Sequence, residues 1–164
     1  MSTFRYLHAA ESTKTPAHQQ NAKRKRILVV EDNQLSSKLL KQLLTAHGYK
    51  VVETPDGLQA LDLARDEQPD LILMDLRLPD INGLDVTRLL KQDERTKTIP
   101  IIAVTALATP DYEKRGFESG CDAFIPKPII LSKFLRVIES LFEHPARDAH
   151  DLRIKRLPGW PNPL

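Results

Sequence analysis

Five short apolar runs alternate with five segments of helical period along this chain, and that alternation leaves few folds open. The runs are Ile27–Val30, Lys50–Glu53, Leu71–Met74, Pro100–Val104 and Ala123–Ile125. The first, third and fourth are almost continuously apolar, as parallel strands covered on both faces are. Pro100 is tolerated because it opens its run and does not interrupt it.

The intervening segments carry leucine stripes. Leu35, Leu39, Leu43 and Leu44 follow the first run at i, i+4, i+8 spacing; Leu58, Leu61 and Ala64 follow the second. Leu131, Phe134, Leu135, Ile138, Leu141 and Phe142 make the last and strongest stripe. Asp56 before Gly57 reads as an N-cap, and Asn82-Gly83 as a turn from which a helix starts at Leu84. Gly48 and Gly120 stand where glycines close helices. The sum is an α/β chain, (βα)5, with right-handed crossovers. A flavodoxin-like, doubly wound five-stranded parallel sheet of order 2-1-3-4-5 is the expected solution. Ligands then bind at the carboxyl ends of the strands, around the switch point between the first and third.

Charge separates this unit from its flanks. The formal net charge of +2 comprises +5 in residues 1–26 and +2 in 144–164, which leaves −5 across 27–143. The basic pI therefore describes the flanks. Residues 1–26 read as a flexible basic leader, and 144–164, with four prolines and no amphipathic stripe, as a disordered tail. Lys23-Arg24-Lys25-Arg26 has no interleaved aromatics and no recognition helix beside it, so it reads as a solvated lead-in with no nucleic-acid role. Leu157-Pro-Gly-Trp-Pro161 has the look of a docking peptide, but disorder is the preferred reading. No apolar run reaches the roughly 18 residues that cross a bilayer, and the N-terminus lacks the apolar core of a secretory signal. Cys121 is the sole cysteine, so no internal disulfide is available; a packed thiol and a cytoplasmic setting are expected.

The residues that follow each strand hold the chemistry. Glu31 and Asp32 follow the first run, Asp75 ends the third, Thr105 and the small Ala106 follow the fourth, and Lys127-Pro128 follow the fifth. Three carboxylates brought together repel one another, and a hard divalent ion such as Mg²⁺ removes the conflict while keeping waters of its own. A positioned carboxylate can attack phosphorus once its charge is screened. Such transfer depends mostly on stabilising the equatorial phosphoryl oxygens, a task suited to a metal, an ammonium and a hydroxyl. Glu31-Asp32 also suits the N-terminus of the first helix, and Phe124 also suits plain core packing.

Glu31-Asp32-Asn33, Leu73-Met-Asp-Leu-Arg-Leu-Pro-Asp80 with Asn82-Gly83, Ala103-Val-Thr-Ala106 and Ile125-Pro-Lys-Pro128 together resemble the response-regulator receiver family. Their wording is similar to single-domain cell-cycle regulators of the DivK type, over roughly seven tenths of the chain. The resemblance implies a protein of a two-component phosphorelay, a switch and not an enzyme. It implies Asp75 as phosphoacceptor from a histidine kinase or phosphotransfer protein. Mg²⁺ would be held by Asp32, Asp75 and the Arg77 backbone carbonyl, with Glu31 acting through water. Phosphate would be bound by Thr105, Ala106 and Lys127, the last oriented by a cis bond to Pro128. Thr105 and Phe124 would form the switch, acting on the face made by the fourth helix, fifth strand and fifth helix. A downstream protein or a second copy of the chain would bind there. Phe124 stands where tyrosine is frequent, so no outward hydroxyl is on offer, and Arg77 stands where relatives tune phosphate lifetime. A phosphatase of the haloacid-dehalogenase type is disfavoured: Glu-Asp-Asn, and not Asp-x-Asp, follows the first strand. An unphosphorylated scaffold is disfavoured because no acidic residue and no lysine of the motif is lost.

Overall fold

A computed structural model describes residues 24–143. Ten elements alternate: β1 Arg26–Val30, α1 Gln34–Ala46, β2 Lys50–Thr54, α2 Gly57–Glu67, β3 Leu71–Met74, α3 Gly83–Gln92, β4 Ile101–Thr105, α4 Pro110–Ser119, β5 Ala123–Pro126 and α5 Leu131–Glu143. The strands are all parallel, in the order β2-β1-β3-β4-β5. The expected flavodoxin-like (βα)5 sheet is therefore the observed one.

Strand pleating explains the continuous apolar runs. Leu28, Val30, Ile72, Met74, Ile101, Ala103 and Phe124 point to one face, against Ala60, Ala64, Leu84, Val86 and Leu90. Ile27, Val29, Leu71, Leu73, Ile102, Val104 and Ile125 point to the other, against Leu40, Leu44, Phe134, Val137, Ile138 and Leu141. Successive residues serve opposite layers, so no strand position in the middle of the sheet is left for a polar side chain.

In two helices only part of the expected stripe is buried: Leu43 and Leu44 of α1 and Leu61 and Ala64 of α2 pack on the core. Leu35 and Leu39 are 68% and 58% exposed, while Leu40 and Leu44 are buried on the sheet. α1 carries two leucine ridges, and only the direction of packing decides between them. In α2, Leu58 is exposed and the buried positions are Gly57, Ala60 and Ala64, because small residues let the helix approach the sheet closely. Leu131, placed on the α5 stripe, is also exposed.

Caps depart from the local signals too. Asn33, not Glu31 or Asp32, caps α1: its Oδ1 accepts from the Ser36 amide at 2.9 Å. Asp56 occupies the N-cap position of α2, but its side chain caps nothing. Asp80, from the loop between β3 and α3, accepts from the amides of Gly57 at 3.0 Å and Leu58 at 2.9 Å. α3 starts at Gly83, one residue before the expected Leu84. Gly48 and Gly120 close α1 and α4 at positive φ, 86° and 104°. α2 instead ends on Gln68 at φ 44°, whose side-chain amide donates to the carbonyls of Ala64, Arg65 and Arg95.

The last two residues of the basic run Lys23–Arg26 belong to the packed unit. Lys25 pairs with Asp70 at 3.1 Å, and Arg26, in β1, pairs with Glu67 at 2.9 Å. Residues 1–23 of the leader and the 144–164 tail, with its Leu157–Pro161 segment, lie outside the described residues.

α2 is held at both ends by aspartates flanking α3: Asp80 at its N-terminus, and Asp93 through Arg65 at 2.6 Å near its C-terminus. Burial works to raise the Asp80 carboxyl, but the Leu58 and Gly57 amides outweigh it and hold it below its ordinary value. The Arg65 guanidinium and the Arg95 amide likewise hold Asp93 low. Depressed carboxyls supply stability that is fully present above about pH 4, the unfolded range, and lost as pH falls through the folded values. Thermal melts from pH 7 to 2.5 are expected to show a steeper acid decline for the wild type than for the Asp80→Asn/Asp93→Asn double variant. Parallel declines would refute this assignment.

Cys121 is 6% exposed, with Sγ 3.9 Å from the Thr87 hydroxyl, as a packed thiol should be. Burial pushes its pKa up to about 12, so thiolate is scarce at neutral pH. A disulfide reagent is expected to label it only on unfolding. Labelling of the native protein at the rate of a free thiol would contradict this placement.

Candidate functional site

Parallel ladders continue one residue past the strands and line up the rim. The Asp75 amide donates to the Val30 carbonyl at 2.9 Å, Glu31 to Thr54 at 3.1 Å, and Lys127 to Thr105 at 2.9 Å. Glu31, Asp75 and Lys127 thus stand at the same edge of the sheet because each follows its strand directly.

Their side chains converge. Lys127 Nζ lies 2.6 Å from Glu31 Oε2 and 2.7 Å from Asp75 Oδ2. The other Asp75 oxygen, Oδ1, accepts from the Arg77 amide at 2.9 Å, so both oxygens of this carboxylate are oriented. Glu31 Oε1 accepts from the Asn33 amide at 3.3 Å. Glu31 and Asp75 are buried while Asp32 is exposed, and oxygens of the three lie within 4.8 Å of one another.

Three carboxylates thus meet one ammonium. Burial raises the Glu31 carboxyl above its ordinary value, with Lys127 opposing and Asp75 reinforcing the shift. Burial works against the Lys127 ammonium, but its bonds to Asp75 and Glu31 outweigh that and hold it above the ordinary lysine value. The donor set is all oxygen, carries excess negative charge and opens to solvent through Asp32. That chemistry fits a hard divalent cation.

Thr105 is the last residue of β4, and not beyond it. It is fully buried, and its Oγ1 accepts from the Leu107 amide at 3.1 Å. Ala106 next to it is exposed. Phe124 is buried in β5, and a Cβ built on Gly116 of α4 would meet its ring at 3.2 Å. The Lys127–Pro128 peptide is cis. Arg77 forms an isolated bridge with Asn82, which folds the loop after Asp75 back on itself.

That loop contains what residue-by-residue reading misses. A Cβ at Gly83 would lie 2.2 Å from the Asp75 carbonyl oxygen and 2.8 Å from Leu76 Cα. Gly57 would meet Ile81, Val86 and Leu78 within 3.0 Å in the same way. Asn82-Gly83 hinted at the first of these as a turn signal, although the need is for close approach. Nothing local marked Asp80.

The profile of the response regulator receiver domain matches residues 27–139. The chain is 50% identical over 116 residues to the polar-differentiation response regulator DivK of Brucella ovis, covering 71% of this chain and 94% of that protein. A putative response regulator of Chloroflexus aurantiacus superposes with a TM-score of 0.71 at 27% identity, over 74% of this chain and 99% of that one. The receiver domain of a Pseudomonas aeruginosa sensor histidine kinase gives 0.67 at 32%, over 72% and 97%; its crystal structure has a magnesium ion coordinated in the active-site cleft. The chain belongs to the response regulator receiver family. It is a response regulator of two-component signalling, a family whose members bind Mg²⁺ at their acidic site and work with histidine kinases or phosphotransfer proteins. Among the described residues, no helix is long and apolar enough to cross a membrane.

Proposed function

We propose that Asp75 is the phosphoacceptor and that its phosphorylation, in the cytoplasm, switches protein partners. One observation carries the reading: a buried carboxylate with both oxygens oriented, by Lys127 and the Arg77 amide, beside Glu31 and Asp32. Asp32, Asp75 and the Arg77 carbonyl would hold Mg²⁺, with Glu31 acting through water. Bound there, the ion supplies neutralisation of charge on the phosphoryl oxygens.

The chain's own groups do the rest. A carboxylate oxygen of Asp75 attacks phosphorus as the bond to the donor's histidine nitrogen breaks, and the electron pair stays on the imidazole. Lys127, already within reach of Asp75, follows the new charge and pairs with a phosphoryl oxygen. Thr105 Oγ1 is occupied as an acceptor by the Leu107 amide, which leaves its proton for an oxygen of the phosphate. Exposed Ala106 leaves the approach open. The donor approaches across the rim, and exposed Leu35 in the first turn of α1, Leu39 one turn further on, and Ile130 and Leu131 at the entry to α5 offer it apolar surface.

Phosphorylation replaces the single negative charge of the Asp75 carboxylate with a phosphoryl group that carries about 1.5 to 2, beside Thr105 and Lys127. Phe124 already lies inward against Gly116, so the phosphate would act by favouring this position over an outward one. The α4-β5-α5 face carries the result to a downstream protein or a second copy of the chain. A phosphoryl group held on Asp75 is a signal and not a turned-over product, so the chain serves as a switch.

Intact-protein mass spectrometry after incubation with acetyl phosphate tests the reading. One phosphate adduct is expected with Mg²⁺ and none with a chelator. A folded protein that takes up no phosphate from acetyl phosphate or a kinase would favour a scaffold. Steady hydrolysis of a generic phosphomonoester would favour a phosphatase.

A further inference from the structure

The loop between β3 and α3 carries the Arg77 carbonyl, and something must hold that loop still. Within itself it is tied by Arg77 N to Asp75 Oδ1, by the Arg77–Asn82 bridge and by Gly83 N to the Leu76 carbonyl at 3.0 Å. Outward, it rests on α2. Leu78 and Ile81 lie so close over Gly57 that a Cβ there would meet them at 3.0 and 2.6 Å. Asp80 supplies the polar tie, with one carboxylate oxygen on each of the first two amides of α2. A carboxylate at a helix N-terminus is favoured by the unpaired amides and by the helix dipole. The tie is directional, unlike the apolar contacts of Leu78 and Ile81.

We propose that Asp80 is a positioning residue for Mg²⁺ binding: it pins the loop to α2 so that the Arg77 carbonyl stays beside Asp75. The proposal rests on the reading of the acidic rim as a Mg²⁺ site. Asp80 does not touch the ion; it acts through the backbone three residues before it. Groups that orient metal ligands from behind commonly change metal affinity by about 10-fold or more when lost. Binding coupled to a contact is reciprocal, so the ion must also tighten the Asp80 tie.

The test is a titration of the ¹⁵N-labelled full chain with MgCl₂ alone, following the Arg77 and Leu78 amides, with amide exchange measured at Gly57 and Leu58. Asp80→Asn is expected to raise the Mg²⁺ Kd about 10-fold. Asp93→Ala, which loosens the far end of α2, should leave it within about twofold. In the wild type, saturating Mg²⁺ should slow exchange at Gly57 and Leu58, a result that needs no variant to fold. Unchanged affinity in Asp80→Asn, or unchanged exchange in the wild type, overturns the proposal. Equal weakening in both variants also overturns it, since general destabilisation would then suffice. A wild type that binds no Mg²⁺ brings down the reading of the rim itself, and this proposal with it.

Discussion

Asp75→Asn is expected to abolish phosphate uptake from acetyl phosphate, a loss of roughly 10³-fold or more, without unfolding the protein. The amide is a far poorer nucleophile toward phosphorus, and no neighbour replaces it. Glu31 is buried and bound to Lys127, and Asp32 lies outside the pair of bonds that orients Asp75. Stability should move little because two effects oppose. The substitution removes one Lys127 ion pair, but Lys127 keeps Glu31 at 2.6 Å. It also relieves repulsion among three carboxylates whose oxygens lie within 4.8 Å. The asparagine oxygen can still accept from the Arg77 amide. A net change within about 1 kcal/mol follows, measured by denaturant unfolding beside mass spectrometry. Adduct formation at the wild-type rate would move the acceptor elsewhere; loss of fold would show that the carboxylate is needed for structure.

Gly83→Ala should do the opposite and damage the fold first. The new Cβ would sit 2.2 Å from the Asp75 carbonyl oxygen, and the nearest atoms are backbone, which cannot swing away as a side-chain tip can. Either α3 separates from the end of β3 or Asp75 moves. The expected cost is about 3 kcal/mol, roughly 10 °C in Tm, with phosphate uptake reduced in the fraction that stays folded. Gly48→Ala is the informative comparison. No atom lies within 4 Å of a Cβ there, so only the strain of φ 86° is felt, about 1 kcal/mol. Equal Tm shifts for the two would mean that close approach at Gly83 does not matter.

The sheet and its rim were legible for one reason: they depend on short-range pattern. Ile27–Val30 and Leu71–Met74 have no polar position because alternate residues enter opposite layers, and that shows in any four-residue window. Glu31 and Asp75 follow such a run immediately and Lys127 one residue later, after Pro126, so a parallel sheet gathers them at one edge. Helix faces were less legible. Leu35, Leu39, Leu40, Leu43 and Leu44 make two overlapping ridges, and amphipathicity alone cannot say which one meets β1 and β2. Asp56 looked like the cap of α2 because capping signals are read locally, whereas the carboxylate that caps it comes from residue 80.

By itself, then, the sequence determined the βα alternation, the strand order expected of it and the acidic rim, since periodicity and adjacency are properties of neighbours in the chain. Tertiary structure alone decided which leucines stay exposed on α1, why Gly83 and Gly57 must lack side chains, and that Asp80 ties the loop after Asp75 to α2. Each of those depends on two segments meeting at a distance set by packing, and nothing in either segment records that distance.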